Sequence, residues 1–367
     1  MSIIADYWSQ LQGSLFSNIE LLWQQSLSDG DKRLISILNV NQIEKYIDKP
    51  SIGRVGRKRH DRRAIARAFL AKALKDITTT KMLREALITQ PTLCRICGWD
   101  SPDQVPSEPT LSRAFSEFTN NGLCLIAHEA NVREYIGDQI VMHVSRDSTE
   151  LPAREKPAKK PPTAERHRAR STQHKDGRIV ERTRVEIQFD QTAEEAMEQL
   201  PKVCDAVVKR DSKGNRHTVI GYKVHIDWAD GIIPINVALT SASVHDSQVA
   251  IPLSRLTSKR ANVLYELMDG AYDAPSIRKA IEELGRVPII DGQPRRKAYV
   301  PFDPATALRY EHRTNAERGN SRLQDSFGFR NLRVRSAAKA LTHAMFGILV
   351  LFADQITKPI HYNVCAT

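Results

Sequence analysis

With 367 residues, 41% of them hydrophobic and 26% charged, the chain is long enough for two or three domains and too apolar to be wholly disordered. Lys and Arg number 54 against 43 Asp and Glu, a net charge of +11, so a polyanion such as nucleic acid or an acidic membrane surface is the expected partner, with a merely solvated basic surface as the alternative. The five cysteines are few and odd in number, which argues against a secreted disulfide scaffold and fits a reducing cytosol; MSIIADYWSQ lacks the basic-then-apolar order of a signal peptide.

Residues 1–125 read as all-helical, because apolar positions recur at three and four in ELLWQQSL, RLISILNVNQIEKYI and AIARAFLAKALKDI. Between these helices nine Lys or Arg fall from Arg54 to Lys75 against one acid, Asp61. Gly53 and Gly56 loosen the backbone there, so Arg57, Lys58 and Arg59 are placed to follow a phosphate backbone. Cys94 and Cys97 form a lone C-x-x-C with no second pair or His pair at finger spacing, and buried thiols are expected rather than zinc. In VPSEPTLSRAFSEF, Ser107 or Glu108 before Pro109 starts a helix. Its Thr110, Ser112, Arg113 and Glu117 are of the kind that read base edges; Leu111, Phe115 and Phe118 equally describe an ordinary packed amphipathic helix.

From Gln139 the texture becomes strand-like, in QIVMHVS, TVIGYKVHIDW, IIPINVALT, ANVLYELMD and RVPII. DSQVAIPLSRL and APSIRKAIEEL supply helices after the third and fourth of these, and a further helix follows the fifth. The order predicts a hairpin meander that continues into a parallel, helix-covered mixed sheet, an α/β domain over residues 138–367. A basic insertion at about 151–217 interrupts it. There PAREKPAKKPPTAERHRARSTQHKDGRIVERTR carries eleven Lys or Arg against Glu155, Glu165, Asp176 and Glu181. It is expected to be loop-like to about residue 180, as an arm on DNA or as a solvated loop. The longest apolar run, AMFGILVLFA at 344–353, falls short of the ~20 residues of a membrane span and is expected to be a buried closing helix, with no membrane partner.

Three acids stand out by position. Asp147 is expected at the end of the first strand and Asp269 at the end of the fourth, the kind of place where ligands gather in open α/β sheets. Glu317 lies on the helix after the fifth strand, where Tyr310, Arg313, Glu317 and Gln324 share one face and Ala316, Leu323 and Phe327 form the packing face. By itself, Arg313 with Glu317 is a common i,i+4 ion pair worth about 0.3–0.5 kcal/mol. Three converging carboxylates repel one another, and a divalent cation is the natural reason to assemble them. Hard oxygen ligands favour Mg2+ or Mn2+ over zinc, and two such ions activate an attacking water or hydroxyl at a phosphodiester. His143 and His225 lie on strands and are expected to be packed or hydrogen-bonded.

The ordered set GRKRHDRRAIARAFLAKAL, TTTKMLREAL, PSEPTLSRAFSEF, RDST, GYKVHID, LTSASVHDS, MDGAYD and RTNAER resembles bacterial insertion-sequence transposases with a DDE catalytic domain. The resemblance implies an RNase H-like mixed sheet flanked by helices, preceded by an all-helical DNA-binding region. It implies that Asp147, Asp269 and Glu317 bind the catalytic metals, and that Tyr310 and Arg313 match the phosphate-contacting positions of the family's Y-x2-R-x3-E-x6-K signature. Gln324 stands where that signature has lysine; glutamine can still hydrogen-bond a phosphate oxygen but brings no charge to the contact, while Arg318 and Arg322 supply charge nearby, and Arg330, Arg333 and Arg335 extend the basic path. The implied partners are double-stranded DNA, as terminal inverted repeats and target, and a second copy of the chain in a homodimer on that DNA. The implied activity is metal-dependent strand cleavage and strand transfer in the bacterial cytoplasm, at the nucleoid. Two other readings stay open: a transposase-derived DNA-binding protein that no longer cuts, and an RNase H-like nuclease without strand transfer.

Overall fold

A computed structural model describes residues 27–47, 59–158, 182–210, 214–292 and 301–358, and the side chains of 209 and 210 lie outside that description. ELLWQQSL falls almost wholly outside it, as do Arg57, Lys58 and most of the basic run at 159–181. The chain divides into two compact units, one holding residues 1–131, 326–328 and 344–367, the other 132–325 and 329–343.

The first unit is helical, as the three- and four-residue apolar spacing requires. Its helices are α1 (Asp29–Asn41), α2 (Arg62–Leu74), α3 (Thr80–Thr89), α4 (Pro91–Cys97), α5 (Glu108–Asn120) and most of α6 (Leu123–Tyr135). Their starts are chemically marked. Ser28 and Asp31 form a reciprocal capping box on α1, Asp61 caps α2 and Thr79 caps α3, each satisfying amides that have no partner within the helix. Gly98 stops α4 at φ 108°, where a Cβ would be strained. Leu34, Ile37, Ile65, Leu70, Leu83, Leu87 and Leu111 are all fully buried. Phe69 packs on Phe115 and Phe346 with ring centroids 5.1 and 5.5 Å apart.

Phe346 belongs to the long final helix (Ala337–Ile356), which closes this unit from Ala344 onward. This helix is long and apolar enough to cross a membrane by length and composition, beyond what the ten-residue apolar run implied; 72% of its apolar window is buried inside the protein, and it is a core helix. Asn41 donates to the carbonyl of its Leu349 at 3.2 Å and accepts from Asn131 at 3.0 Å, so a buried polar pair fixes three helices. Cys94 and Cys97 are buried thiols; burial pushes both up, Cys97 to about 12.

The second unit is built on a six-stranded mixed sheet in the order β2-β3-β1-β5-β6, with β4 on the edge of β3 opposite β1. The strands are β1 (Ile140–Pro152), β2 (Asp205–Arg210), β3 (Arg216–Ala229), β4 (Ile233–Ser241), β5 (Asn262–Met268) and β6 (Val287–Ile290). β1, β3 and β4 form the antiparallel meander, and β1, β5 and β6 run parallel, as parallel strands joined by helical crossovers do. The fold is α/β and RNase H-like, with a mixed sheet flanked by helices.

Beyond residue 181, past the stretch expected to be loop-like, the insertion is ordered into secondary structure. It forms two short helices, Arg184–Phe189 and Ala193–Glu198, and contributes β2 to the sheet edge. Both helices open on reciprocal boxes, Thr183 with Glu186 and Thr192 with Glu195. The T-x-x-E spacing in TRVE and TAEE was the local signal for them.

A charged network is fully buried under the sheet. Arg146 pairs bidentately with Asp227 at 2.7 and 2.8 Å, donates to Ala250 and Ser254, and lies 3.4 Å from Glu266, which in turn holds Arg286 at 2.5 Å. With every charge answered, these groups clamp β1, β3, β5 and helix Ser247–Ser258 together.

Candidate active site

The parallel pairing of β1 with β5 ends at Ser145 and Leu267, and Asp147 and Asp269 lie just past that point. Asp147 does not end its strand, contrary to the sequence expectation: β1 runs on to Pro152, held by antiparallel pairing with β3 in which Asp147 faces Ile226. Only its pairing with β5 stops, which opens the crevice. Asp269 follows β5 directly and accepts the Ala271 amide at 2.9 Å.

Helix Thr314–Ser326 carries the third acid and is fastened to β1 side by side. Asn320 donates to the Asp147 carboxylate at 3.0 Å, and Gln324 donates through Nε2 to Thr149 Oγ1 at 3.0 Å and to the Glu150 carbonyl at 2.5 Å. Both amide hydrogens of Gln324 are thereby used within the chain, leaving none for the phosphate oxygen that the sequence assigned to it. Ala316, Leu323 and Phe327 are buried, as the packing stripe requires.

Gly319, which sequence reasoning passed over, decides how close this helix lies. A Cβ there would sit 2.6 Å from ring carbons of Trp228, itself fully buried on β3. The signal was present: a glycine in the middle of a helical pattern costs about 1 kcal/mol relative to Ala and needs a packing reason.

Burial pushes the Asp147 carboxyl up to about 6, aided by Asp269 and Asp246 and opposed by the Ser148 amide and Arg313. Arg313 stands among the acids, 2.5 Å from Glu317 Oε1 and 3.7 Å from Asp269 Oδ2. The i,i+4 pair expected of an ordinary helix is therefore present, and it also reaches the strand acid. Among the described residues, the three His, Cys, Asp or Glu side chains whose ligand atoms all lie within 4.8 Å are His143, Asp230 and His312, not the acidic trio.

Around this centre, Tyr310 donates to the Met268 carbonyl at 3.3 Å, and burial raises its phenol to about 12. Arg318 is exposed, Arg322 is half-buried, Arg330 pairs with Asp325 at 2.7 Å, and Arg333 and Arg335 are exposed. Lys223 holds Asp246 at 2.9 Å and the Val244 carbonyl at 2.8 Å. Burial alone would raise Asp246; His225 and Lys223, with hydrogen bonds from Lys223 and Ser148, outweigh it and leave the carboxyl below its ordinary value. His225 is fully buried and bonds Thr240 at 2.9 Å, as expected of a packed histidine.

Within the helical unit, Glu117 is not free to read a base. It accepts from Arg59 at 2.8 Å and Arg62 at 3.1 Å, joining the basic cluster to α5. Ser112 and Arg113 face solvent on that helix while Leu111, Phe115 and Phe118 pack beneath, as the amphipathic-helix reading of α5 requires.

The family model described as "Transposase DDE domain" matches residues 142–353, more than half of the chain. The chain belongs to the DDE transposase family. A second model, "Transposase domain (DUF772)", matches residues 30–117, so the helical unit of this transposase also has its counterpart among transposases. No curated protein and no solved structure matches.

Proposed function

We propose that this transposase binds the ends of an insertion sequence and catalyses metal-dependent DNA cleavage and strand transfer. The observation that carries the proposal is the placement of Asp147 and Asp269 beyond the last β1–β5 pair, with the Glu317 helix fastened to the same strand through Asn320.

The donor set fits a hard divalent ion. The proposed ligands Asp147, Asp269 and Glu317 are all carboxylates, and Asp147 is a carboxyl whose burial disfavours its charge until a cation compensates it. The chemistry that Mg2+, or Mn2+ in its place, supplies there is activation of a water or hydroxyl and stabilisation of the leaving oxygen of a phosphodiester. Asp147, Asp269 and Glu317 would hold it. Asn320 orients the Asp147 carboxylate. Arg313 neutralises Asp269 and Glu317 in the free protein and is placed to exchange them for a DNA phosphate, bidentately as guanidinium does. Tyr310, Arg318 and Arg322 continue that phosphate track, and Arg57, Lys58, Arg59 and Arg113 serve the DNA in the region 1–125, ahead of a catalytic domain over 138–367. Terminal inverted repeats, a homodimer and a cytoplasmic, nucleoid-associated setting complete the proposal.

The Arg313 bridge to two of the acids is also what a protein that binds DNA without cutting would show. A single assay separates the readings: wild-type protein with Mg2+ or Mn2+ on a duplex carrying the element's end, beside Asp147→Asn, Asp269→Asn and Glu317→Gln. Metal-dependent nicking and joined products in wild type, lost in each variant while binding persists, support the transposase. Binding without cutting in wild type removes catalysis, and cutting without joining leaves a nuclease.

A further inference from the structure

A second cluster, unrelated to the acidic trio, lies where β1, the β3–β4 turn and the short turn before helix Thr314–Ser326 meet. His143 on β1 is 8% exposed, and its backbone N–H donates to Asp230 Oδ2 at 3.0 Å. Its Nδ1 lies 3.2 Å from Asp230 Oδ1, and the Nδ1 of His312 lies 3.4 Å from that same oxygen. The two imidazoles stack with centroids 4.2 Å apart and planes 14° apart, and the three ligand atoms all fall within 4.8 Å of one another.

We propose that His143, Asp230 and His312 form a site for a transition-metal ion of the zinc class. In a tetrahedral site with bonds of about 2.0–2.2 Å, ligand atoms stand roughly 3.3–3.6 Å apart. The two nitrogen-to-oxygen separations here, 3.2 and 3.4 Å, already lie close to that spacing, but the rings stack only 14° from parallel, so the half-exposed His312 ring turns out of the stack to aim its Nδ1 lone pair at the same ion. Two imidazoles and one carboxylate suit zinc, whereas the all-oxygen trio suits Mg2+, so the two centres select different ions.

The surroundings hold the ligands as an outer shell would. Asp230 is steadied by the His143 amide, and Ser145 Oγ donates to the His312 carbonyl at 3.0 Å, tying the turn that carries His312 to β1. His143 Nε2 is buried with no hydrogen-bond partner, and an ion at Nδ1, displacing that nitrogen's contact with Asp230, would leave the ring's proton on Nε2. Asp230 and His312 remain 38% and 48% exposed, which gives an ion an entry from solvent and an open position for water.

The placement indicates what the ion does. His143 precedes Asp147 on one strand, and His312 precedes Arg313 and Glu317 at the head of the helix. An ion on these three residues would staple the strand of the first acid to the element of the third, at a point outside the chemistry itself.

The test uses untagged full-length protein titrated with Co2+ and read by its visible ligand-field absorption, followed by Zn2+ competition. One equivalent bound with a tetrahedral band, displaced by Zn2+ and indifferent to excess Mg2+, is expected. His312→Ala, at an exposed position, should weaken Co2+ binding by more than the tenfold typical of losing even an outer-shell partner. It should also abolish the rise in unfolding temperature that Zn2+ gives wild type. Asp269→Asn should leave both readouts unchanged, since the proposal does not depend on the acidic trio. Absence of the band, equal affinity in His312→Ala, or a thiolate charge-transfer band from the cysteines would each overturn it.

Discussion

Gly319→Ala isolates the contact that sets the distance between the Glu317 helix and the sheet. The added methyl would lie 2.6 Å from two carbons of the Trp228 ring, where a carbon contact normally needs about 3.5–4.0 Å, so helix and ring must part by about 1 Å. Trp228 is fully buried on a strand paired along both edges and has little room to retreat. Overpacking of this kind costs about 1–3 kcal/mol, offset by about 1 kcal/mol from replacing a mid-helix glycine. The net loss of stability is therefore small, roughly 0–2 kcal/mol, a few degrees in unfolding temperature. The effect on cleavage should be far larger, because Glu317 rides on the displaced helix and a misplacement of about 1 Å costs on the order of 100-fold. Thermal unfolding and end-cleavage rates measured side by side distinguish the two quantities, and Trp228→Leu in the Gly319→Ala background should recover part of the rate. A Gly319→Ala protein that gains the full helix-propensity benefit, or cuts at the wild-type rate, would refute the close-packing argument.

Arg146→Met should lower stability by about 3–5 kcal/mol, since it leaves Asp227 and Glu266 buried without their shared cation; a urea midpoint near wild type would show that water or Arg286 replaces it. Burial holds His225 at about 4 against an ordinary value of 6.5, so below pH 6.5 the unfolded chain binds a proton that the folded one refuses. Stability is thus fully present above pH 6.5 and falls by roughly 3 kcal/mol as the pH drops to about 4; His225→Gln, which cannot titrate, should flatten that part of the profile. Gln324→Ala should cost roughly 1–2 kcal/mol through its two bonds to β1, yet weaken DNA binding less than Arg313→Ala does, as filter binding over a salt series would show.

Much of the α/β unit was legible in the sequence because its signals are local. Alternation and turn residues marked the strands, and three- and four-residue spacing put Ala316 and Leu323 on a packing face; the single helix expected from Tyr310 to Gln324 is instead broken, with Tyr310 ending helix Pro304–Tyr310 and Arg313 in the turn Glu311–Arg313 before the Glu317 helix. The acids could be placed relative to strand ends, although the end of β1 itself was misjudged. Residue patterns show where a strand is apolar, whereas its length also depends on its neighbours, and β3 keeps pairing with β1 after β5 has left it.

What only the tertiary structure decided are the meetings between distant segments. Gly319 reads as a weak helical residue until Trp228 is found against it, and Gln324 reads as a phosphate contact until its amide is found on Thr149 and Glu150. His143, Asp230 and His312 carry no shared local pattern, and sheet pairing together with the helix docking brings them to one point. Periodicity is a property of consecutive residues, set by backbone geometry. Which side chains touch across elements depends on register and packing, which are long-range energies that no short stretch of sequence contains.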